Sequence, residues 1–223
     1  MSRIVRVDMH VHTSASPDSR LTLDEAVSQA KRVGLHGLAI TDHNLLWGSP
    51  VPGRVVEVSG ITILPGIEVS TREGHLLAYF VSQAPAPHQP LVDTLREVHA
   101  AGGLAILPHP YRLFHGAAHQ LGSLRLPLEG VEVLNGHTSA TRNRRAKEWA
   151  KERGLRFFGG SDAHAPQEVG SCYTEIAWSE DGWKATLHNG TTVLGGPGIG
   201  RGAMYAVGLG NFWKRLKRGF RPL

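Results

Sequence analysis

Short apolar runs alternate along this chain with longer segments whose apolar residues recur at helical spacing. The runs predict eight strands: IVRVDMHV from Ile4, GLAIT from Gly37, ITILPGIEV from Ile61, HLLAYFV from His75, LAILP from Leu104, GVEVLN from Gly130, RFFGGSD from Arg156 and YTEIAW from Tyr173. The longer segments predict three helices, each followed by glycine: TLDEAVSQAKRVG from Thr22, LVDTLREVHAAGG from Leu91 and TRNRRAKEWAKERG from Thr141. This alternation is typical of β/α units around a parallel sheet.

Polar residues follow the apolar part of nearly every predicted strand. They are His10, His12, Asp42, His43, Glu68, His109, Asn135, Asp162 and His164. The strands could form an open sheet or a barrel, and their number does not decide between the two. In an α/β barrel the C-terminal strand ends form one face that carries the chemistry. The polar strand ends therefore favour an α/β barrel, regular or distorted, with a ring of potential ligands on that face.

The spacing of these residues indicates a metal site. Alternation along a strand places Asp8, His10 and His12 on one face. Alone, this motif fits a polar strand face better than a metal site, but "GSDAH" repeats the spacing at Asp162 and His164. A carboxylate at Glu68, after an apolar strand, would be costly to bury without a cation.

The donor types and their number restrict the metal. Cys172 is the single cysteine, which excludes an internal disulfide and a thiolate site. Histidine and carboxylate suit Mn, Zn or Fe. A catalytic zinc takes three protein ligands, so the candidates are too many for one ion.

Composition predicts an ordinary globular protein in the cytoplasm. The chain has 223 residues, 41% apolar and 19% charged, with no run long enough to span a bilayer and no secretory signal in its first residues. The net charge of +5 lies largely in "RNRRAKEWAKER" and "KRLKRGFR", which makes it weak evidence about the substrate.

We assign residues 1–194 to one catalytic domain. Residues 195–223 are predicted to be a glycine-rich connector and a basic, aromatic tail. The oligomeric state is left open.

Seven segments in order resemble the motifs of the polymerase-and-histidinol-phosphatase (PHP) family of metal-dependent phosphoesterases. They are "DMHVHTSASPDS", "GLHGLAITDHN", "ILPGIEVST", "GHLLAYF", "LPHPY", "GVEVLN" and "FFGGSDAH". The resemblance implies a distorted (β/α)7 barrel with two or three divalent ions at the C-terminal face. It implies a first ion on His10, His12, Glu68 and Asp162, a second on Glu68, His75 and His109, and a third on Asp18, His43 and His164.

The resemblance also implies an enzyme, a metal-dependent phosphoric ester hydrolase acting by attack of a metal-bridging hydroxide. His10, His12, Glu68, Asp162 and His164 would be its catalytic residues. The residues considered for substrate binding are Asn135, His137, Arg142 and Arg144. His115 and His137 are candidate proton donors, and Asp8 and Asp42 are candidates for orienting ligand imidazoles.

Several functions stay open. The substrate could be a phosphomonoester or phosphodiester, either a small metabolite or nucleotide, or an oligonucleotide end. A small substrate is favoured because no added nucleic-acid-binding module is visible. A metal-dependent amidohydrolase is disfavoured because no predicted strand ends in lysine. A non-catalytic, metal-stabilised scaffold would bind nucleic acid or an acidic membrane through its basic tail.

Overall fold

The computed structural model describes residues 3–47, 52–113, 115–122 and 125–197. Most of the predicted connector and tail, residues 198–223, lies outside them. The strands are β1 (Ile4–Val11), β2 (Gly37–Ile40), β3 (Val56–Val58), β4 (Ile61–Ser70), β5 (His75–Tyr79), β6 (Leu104–Leu107), β7 (Gly130–Asn135), β8 (Arg156–Gly160), β9 (Tyr173–Ala177) and β10 (Thr192–Gly195). The helices are α1 (Leu23–Arg32), α2 (Leu91–Ala100), α3 (Ala118–Leu121), α4 (Ala140–Glu152) and α5 (Trp183–Asn189), with a 3₁₀ turn at Pro166–Glu168.

The strands form one sheet that curls into a nearly closed barrel. Its order is β10-β9-β1-β2-β4-β5-β6-β7-β8, with β3 paired to β4. The segment after β8 closes the wall against β1, because the Asp162 amide donates to the His10 carbonyl at 2.8 Å and the His12 amide to the Ala163 carbonyl at 2.9 Å. The predicted α/β barrel is confirmed, although ten strands rather than seven β/α units make up the sheet.

Strand β5 runs antiparallel to both of its neighbours, contrary to the prediction of parallel units. The turn from β4 to β5 is too short for a crossover helix, and the Thr71 amide donates to the Gly74 carbonyl across it at 2.7 Å. Ser70, the last residue of β4, therefore pairs with His75, the first residue of β5. This reversal brings a strand-start histidine to the C-terminal end of the barrel.

A register shift in β1 between Asp8 and Val11 turns its side chains. Val7 and Met9 pack inside the barrel with Leu64, Tyr79 and other core residues, whereas Val11 packs against residues of α1. Strict alternation would therefore have kept His10 and His12 out of the interior. The prediction that His10 and His12 share one face is confirmed, because their Nε2 atoms lie 3.0 Å apart, but its extension to Asp8 is wrong, because the bulge adds a residue to the repeat.

The three predicted helices are confirmed. Thr22 caps α1 in a capping box with Glu25, and Ser139 caps α4 by accepting from the Arg142 amide. The sequence did not predict β3, β10, α3 or α5, which are all short. No helix in the described residues has the length and apolar character needed to cross a membrane.

Candidate metal centre

Glu68 lies at the middle of a cluster of buried histidines at the C-terminal end of the barrel. Its Oε2 atom lies 3.5 Å from His10 Nε2, 3.3 Å from His12 Nε2 and 3.0 Å from His43 Nδ1. Its Oε1 atom lies 2.7 Å from His75 Nδ1 and 3.0 Å from His109 Nε2. The two oxygens of one carboxylate thus face two separate groups of imidazoles.

Four donor atoms have the spacing of a tetrahedral site. Five of the six distances among them lie between 3.0 and 3.6 Å; the atoms are His10 Nε2, His12 Nε2, Glu68 Oε2 and Asp162 Oδ1. Ligands at about 2.0–2.1 Å from a tetrahedral ion are about 3.3 Å apart. The residues expected at the first ion therefore fit a single divalent cation between them.

The residues expected at the other two ions also come together. His75 and His109 share Glu68 Oε1, as described above. Asp18 Oδ2 lies 3.5 Å from His43 Nε2 and 3.3 Å from His164 Nε2. His43 contacts both groups, through Nδ1 towards Glu68 and Nε2 towards Asp18. All nine expected ligands thus belong to one continuous cluster.

Hydrogen bonds around the cluster determine which nitrogen of each imidazole faces inwards. Nδ1 of His10 lies 3.1 Å from Glu132 Oε1, and Nδ1 of His164 lies 2.7 Å from the Asp162 carbonyl. These acceptors require a proton on Nδ1, which leaves the lone pair on Nε2. His12 Nδ1 lies 3.2 Å from Ser16 Oγ, and Ser16 gives its own proton to Asp42. In the neutral imidazoles, lone pairs of His10 and His12 would therefore face each other at 3.0 Å, an arrangement that a cation would satisfy.

The charges of the cluster depend on one another. Burial alone would raise the pKa of Glu68, but His75, His10 and His43 hold that pKa well below its usual value. Burial would also raise the pKa of Asp162, and Arg112 together with His10 lowers it well below normal. Conversely, the carboxylates raise the pKa of His10 well above normal against the effect of burial. Without a metal, protons on the histidines thus balance the negative charge of the buried carboxylates. A divalent ion could displace those protons.

Two expected ligands have strained backbones. Asp162 has φ of 58° and His109, between two prolines, has φ of 28°. Such angles are uncommon for residues other than glycine and concentrate at functional sites. Two residues before Asp162, a Cβ atom at Gly160 would lie 2.5 Å from the His10 Cβ atom. Only glycine therefore allows β8 to approach β1 this closely.

Sequence reasoning missed three residues that contact the cluster. Glu132 is buried, accepts from His10 Nδ1, and holds the His109 amide at 3.0 Å. A register shift in β7 after Glu132 lets it and Asn135 face the same interior although they are three residues apart. Ser16 links His12 to Asp42. Arg112 donates to Asp162 Oδ2, and no signal in the sequence near Arg112 indicates this contact.

The two aspartates considered for orienting imidazoles have different roles. Asp42 acts indirectly, because it holds Ser16, which contacts His12. Asp8 contacts no imidazole; it accepts from the backbone amides of Ser161 and Gly170, both at 2.8 Å. Burial raises the pKa of Asp8 to about 6 despite these bonds. Asp8 therefore fastens β1 to the chain beyond β8, and the expectation that it orients a histidine is wrong.

The residues considered for substrate binding are dispersed. Asn135 is buried and donates to Glu132 at 2.9 Å and Asp162 at 3.3 Å, so it supports the cluster from behind. His137 pairs with Glu168 Oε2 at 3.3 Å beside His164. Arg142 and Arg144 begin α4, and no hydrogen bond or ion pair within the described chain joins their guanidinium groups to the cluster.

The two histidines considered as proton donors differ in their surroundings. Burial, followed by His75 and Arg112, lowers the pKa of His115 to about 3, which leaves its imidazole neutral near pH 7. His137 instead lies beside the Glu168 carboxylate, whose pKa is lowered by His137 against the effect of burial. Of the two, His137 is the one that pairs with a carboxylate.

Known proteins are similar to this chain in sequence. A family model described as PHP-associated matches residues 140–188. The uncharacterised protein MJ1587 of Methanocaldococcus jannaschii is 31% identical over 145 residues, 60% of this chain and 83% of the relative. The probable phosphatase YcdX of Escherichia coli O139:H28 is 27% identical over 197 residues, 74% of this chain and 80% of the relative.

A solved structure supports the same fold. It is a two-domain protein from Bacteroides vulgatus that contains a predicted PHP-like metal-dependent phosphoesterase. The match has a TM-score of 0.64 and 24% identity, and covers 92% of this chain and 69% of the other. The PHP-associated family model and the sequence relatives, together with this shared fold, identify the chain as a member of the PHP family of metal-dependent phosphoesterases.

Proposed function

We propose that this chain hydrolyses a phosphomonoester or phosphodiester of a small metabolite or nucleotide, with two or three divalent ions at the C-terminal end of the barrel. One observation carries the proposal, namely the position of Glu68. It is buried, and each of its oxygens contacts a different group of histidines. A carboxylate placed in this way can be shared by two ions.

The nine clustered residues are the proposed ligands. His10, His12, Glu68 and Asp162 would hold the first ion; Glu68, His75 and His109 the second; Asp18, His43 and His164 the third. Divalent ions in such a centre supply hydroxide near neutral pH and neutralise charge on a phosphoryl group. Their identity among Mn, Zn and Fe is left to experiment.

Arg112 is the side chain that we assign to the substrate phosphate. Its side chain is 26% exposed and reaches the cluster, where it contacts Asp162 Oδ2. A guanidinium group can bind two phosphate oxygens at once, which fixes the orientation of the ester. In the protein alone Arg112 supplies a positive charge to Asp162, and a cation on Asp162 would free it for the substrate.

The described residues place no thiol at the centre. Cys172 is buried, and burial raises the pKa of its thiol to about 12, so it stays protonated. Direct displacement on phosphorus, without a covalent enzyme intermediate, therefore fits this site best. His137 is the residue that we assign to hold the proton needed by the leaving oxygen.

The test is a metal-dependent assay of the purified protein. Its metal content is measured, and Mn, Zn and Fe forms are assayed with p-nitrophenyl phosphate, bis(p-nitrophenyl) phosphate and nucleotides. We expect turnover that chelation abolishes and that His10→Gln removes, whereas His188→Gln on α5 leaves it unchanged. Bound metal with no turnover in any form would favour the non-catalytic scaffold and overturn the proposal.

A further inference from the structure

Two apolar side chains are exposed in loops next to the metal centre. Leu113 is 59% exposed and Leu45 is 49% exposed. Leu113 directly follows Arg112, which donates to Asp162, and Leu45 comes two residues after His43. Single exposed apolar side chains are common on protein surfaces, so it is the position of these two beside the centre that indicates a role.

Core packing accounts for some apolar residues of these loops but not for others. Leu46, in the loop after β2, and Tyr111, in the loop after β6, both pack against the hydrophobic core. Leu45 and Leu113 are their neighbours in the chain, and the core leaves both in solvent. Apolar surface gains free energy when it leaves water, which a molecule bound at the centre would bring about.

Histidines from both loops contact His75 of the metal centre. The centroid of the His75 ring lies 5.4 Å from that of His43 and 4.7 Å from that of His115. His115 comes two residues after Leu113, just as Leu45 comes two residues after His43. The two leucines therefore belong to loops that adjoin the same part of the centre.

Backbone hydrogen bonds keep each leucine close to its histidine. The Leu45 amide donates to the Asp42 carbonyl at 3.5 Å, and the Gly116 amide donates to the Arg112 carbonyl at 3.0 Å. The second bond closes a turn that contains Leu113. Both leucines are thus held beside the centre by short local turns.

We propose that Leu45 and Leu113 bind the apolar alcohol part of a small phosphoester whose phosphate contacts Arg112. The proposal rests on the function proposed above and names its substrate class. With the phosphate on Arg112, the group esterified to it lies beside the adjoining Leu113. An aryl or alkyl group there buries both leucines, whereas a sugar places hydroxyl groups against side chains that cannot form hydrogen bonds with them.

The test measures the binding of two phosphonates that the enzyme cannot hydrolyse, phenylphosphonate and methylphosphonate. Isothermal titration calorimetry is carried out on the full chain with the metal that it holds after purification. We expect phenylphosphonate to bind about tenfold more tightly, the lower end of the discrimination that apolar contacts in a binding site give. In Leu45→Ser/Leu113→Ser this ratio should fall to about twofold, while the affinity for methylphosphonate stays that of the wild type.

The control, Ile4→Ser/Val193→Ser, changes two apolar side chains of matched exposure, 48% and 58%. Ile4 begins β1 at the opposite end of the barrel, and Val193 on β10 pairs with Glu175 on β9. This variant should keep the wild-type ratio. The proposal is overturned if the wild type binds neither phosphonate or both equally, or if the leucine variant keeps the wild-type ratio. Equal weakening of both phosphonates in the leucine variant also overturns it, because the leucines would then support the centre without contacting the apolar group.

Turnover of p-nitrophenyl phosphate separates this proposal from the function on which it rests. An active enzyme that binds both phosphonates equally overturns the substrate class alone. A wild type that shows the expected ratio but hydrolyses no phosphoester overturns the proposed function. In that case the leucines still bind the apolar part of an anion, and the centre does not cleave it.

Discussion

Polar side chains have different kinds of partner at the two ends of the barrel. At the N-terminal end, the Arg156 guanidinium donates to the carbonyls of Leu187, His188 and Gly190. Arg6 pairs with Glu175 at 2.8 Å. At the C-terminal end, carboxylates and imidazole nitrogens instead converge on one another, with Glu68 in contact with five histidines.

A cavity also opens at the end of the barrel opposite the metal centre. A cavity of about 540 Å³ opens at the N-terminal end, lined by residues that include His99, Glu129 and Arg156. Glu129 accepts from the Ala105 amide at 2.6 Å and Arg156 is bonded to carbonyls, so these polar groups already have partners. The comparison teaches that a metal centre is located by donors that converge without a common partner, and not by empty volume.

The largest effect that would distinguish the two ends is expected from Glu68→Gln. It removes the carboxylate shared by both groups of histidines, so the bound metal should fall and turnover should drop on the order of a thousandfold. Metal analysis and kcat/KM with p-nitrophenyl phosphate measure this, with circular dichroism to check the fold. The matched variant at the other end, Glu175→Gln, should behave as wild type. Unchanged metal content in Glu68→Gln would refute the ligand assignment.

Arg112→Ala should act in two opposite directions. Removing the guanidinium should weaken inhibition by inorganic phosphate about 10- to 100-fold, the usual effect of losing a charged hydrogen bond. It should also leave metal affinity equal or higher, because Arg112 no longer competes for Asp162. Phosphate inhibition and metal titration measure the two effects, and Arg112→Lys should be intermediate. Weaker metal binding together with unchanged phosphate inhibition would show that Arg112 is only a structural partner of Asp162.

The sequence predicted the parts of the centre that follow simple rules. Parallel strands end on the same face, so the polar residues after β2, β4 and β8 were expected to meet. The position of His75 came only from the family resemblance, because the reversal of β5 depends on a tight turn. The helices followed from their apolar spacing and from the glycines after them, of which Gly34 has φ of 74°.

The residues that were missed lie where a local rule fails. Bulges in β1 and β7 break the two-residue repeat of side-chain direction. For this reason the repeat did not predict that Glu132 faces the interior, and it wrongly predicted that Asp8 lies on the same face as His10 and His12. Ser16 and Arg112 lie in loops, where no repeat indicates direction. Their contacts with His12 and Asp162 depend on how distant segments pack, and this information is absent from any short window of sequence.

Glu132→Gln and Glu129→Gln compare a buried glutamate within β7 with a half-buried glutamate just before that strand. Glu132→Gln should reduce metal affinity about 10- to 100-fold, because it removes the negative charge beside His10 and leaves one acceptor oxygen for the donors of His10, His109 and Asn135. Glu129→Gln, three residues earlier, should lower the free energy of unfolding by weakening the bond to the Ala105 amide while metal affinity stays unchanged. Competition with a chelating dye measures affinity, and urea unfolding measures stability. Equal losses of metal affinity in both variants would remove the distinction between the ends.

The smallest effect concerns the acid stability of the metal-free centre. Burial lowers the pKa of His115 to about 3, against about 6.5 when unfolded. Because the unfolded chain binds this proton first, the contribution of His115 to stability is complete above pH 6.5 and is lost as the pH falls towards 3. In the chelated protein, lowering the pH from 7.5 to 5.0 should therefore reduce the free energy of unfolding of both proteins. The reduction should be about 1–2 kcal/mol smaller in His115→Gln than in the wild type. His188→Gln, at the other end, should lose as much as the wild type. Urea unfolding at the two pH values measures this, and an equal loss in His115→Gln and wild type would mean that His115 is protonated in the folded centre.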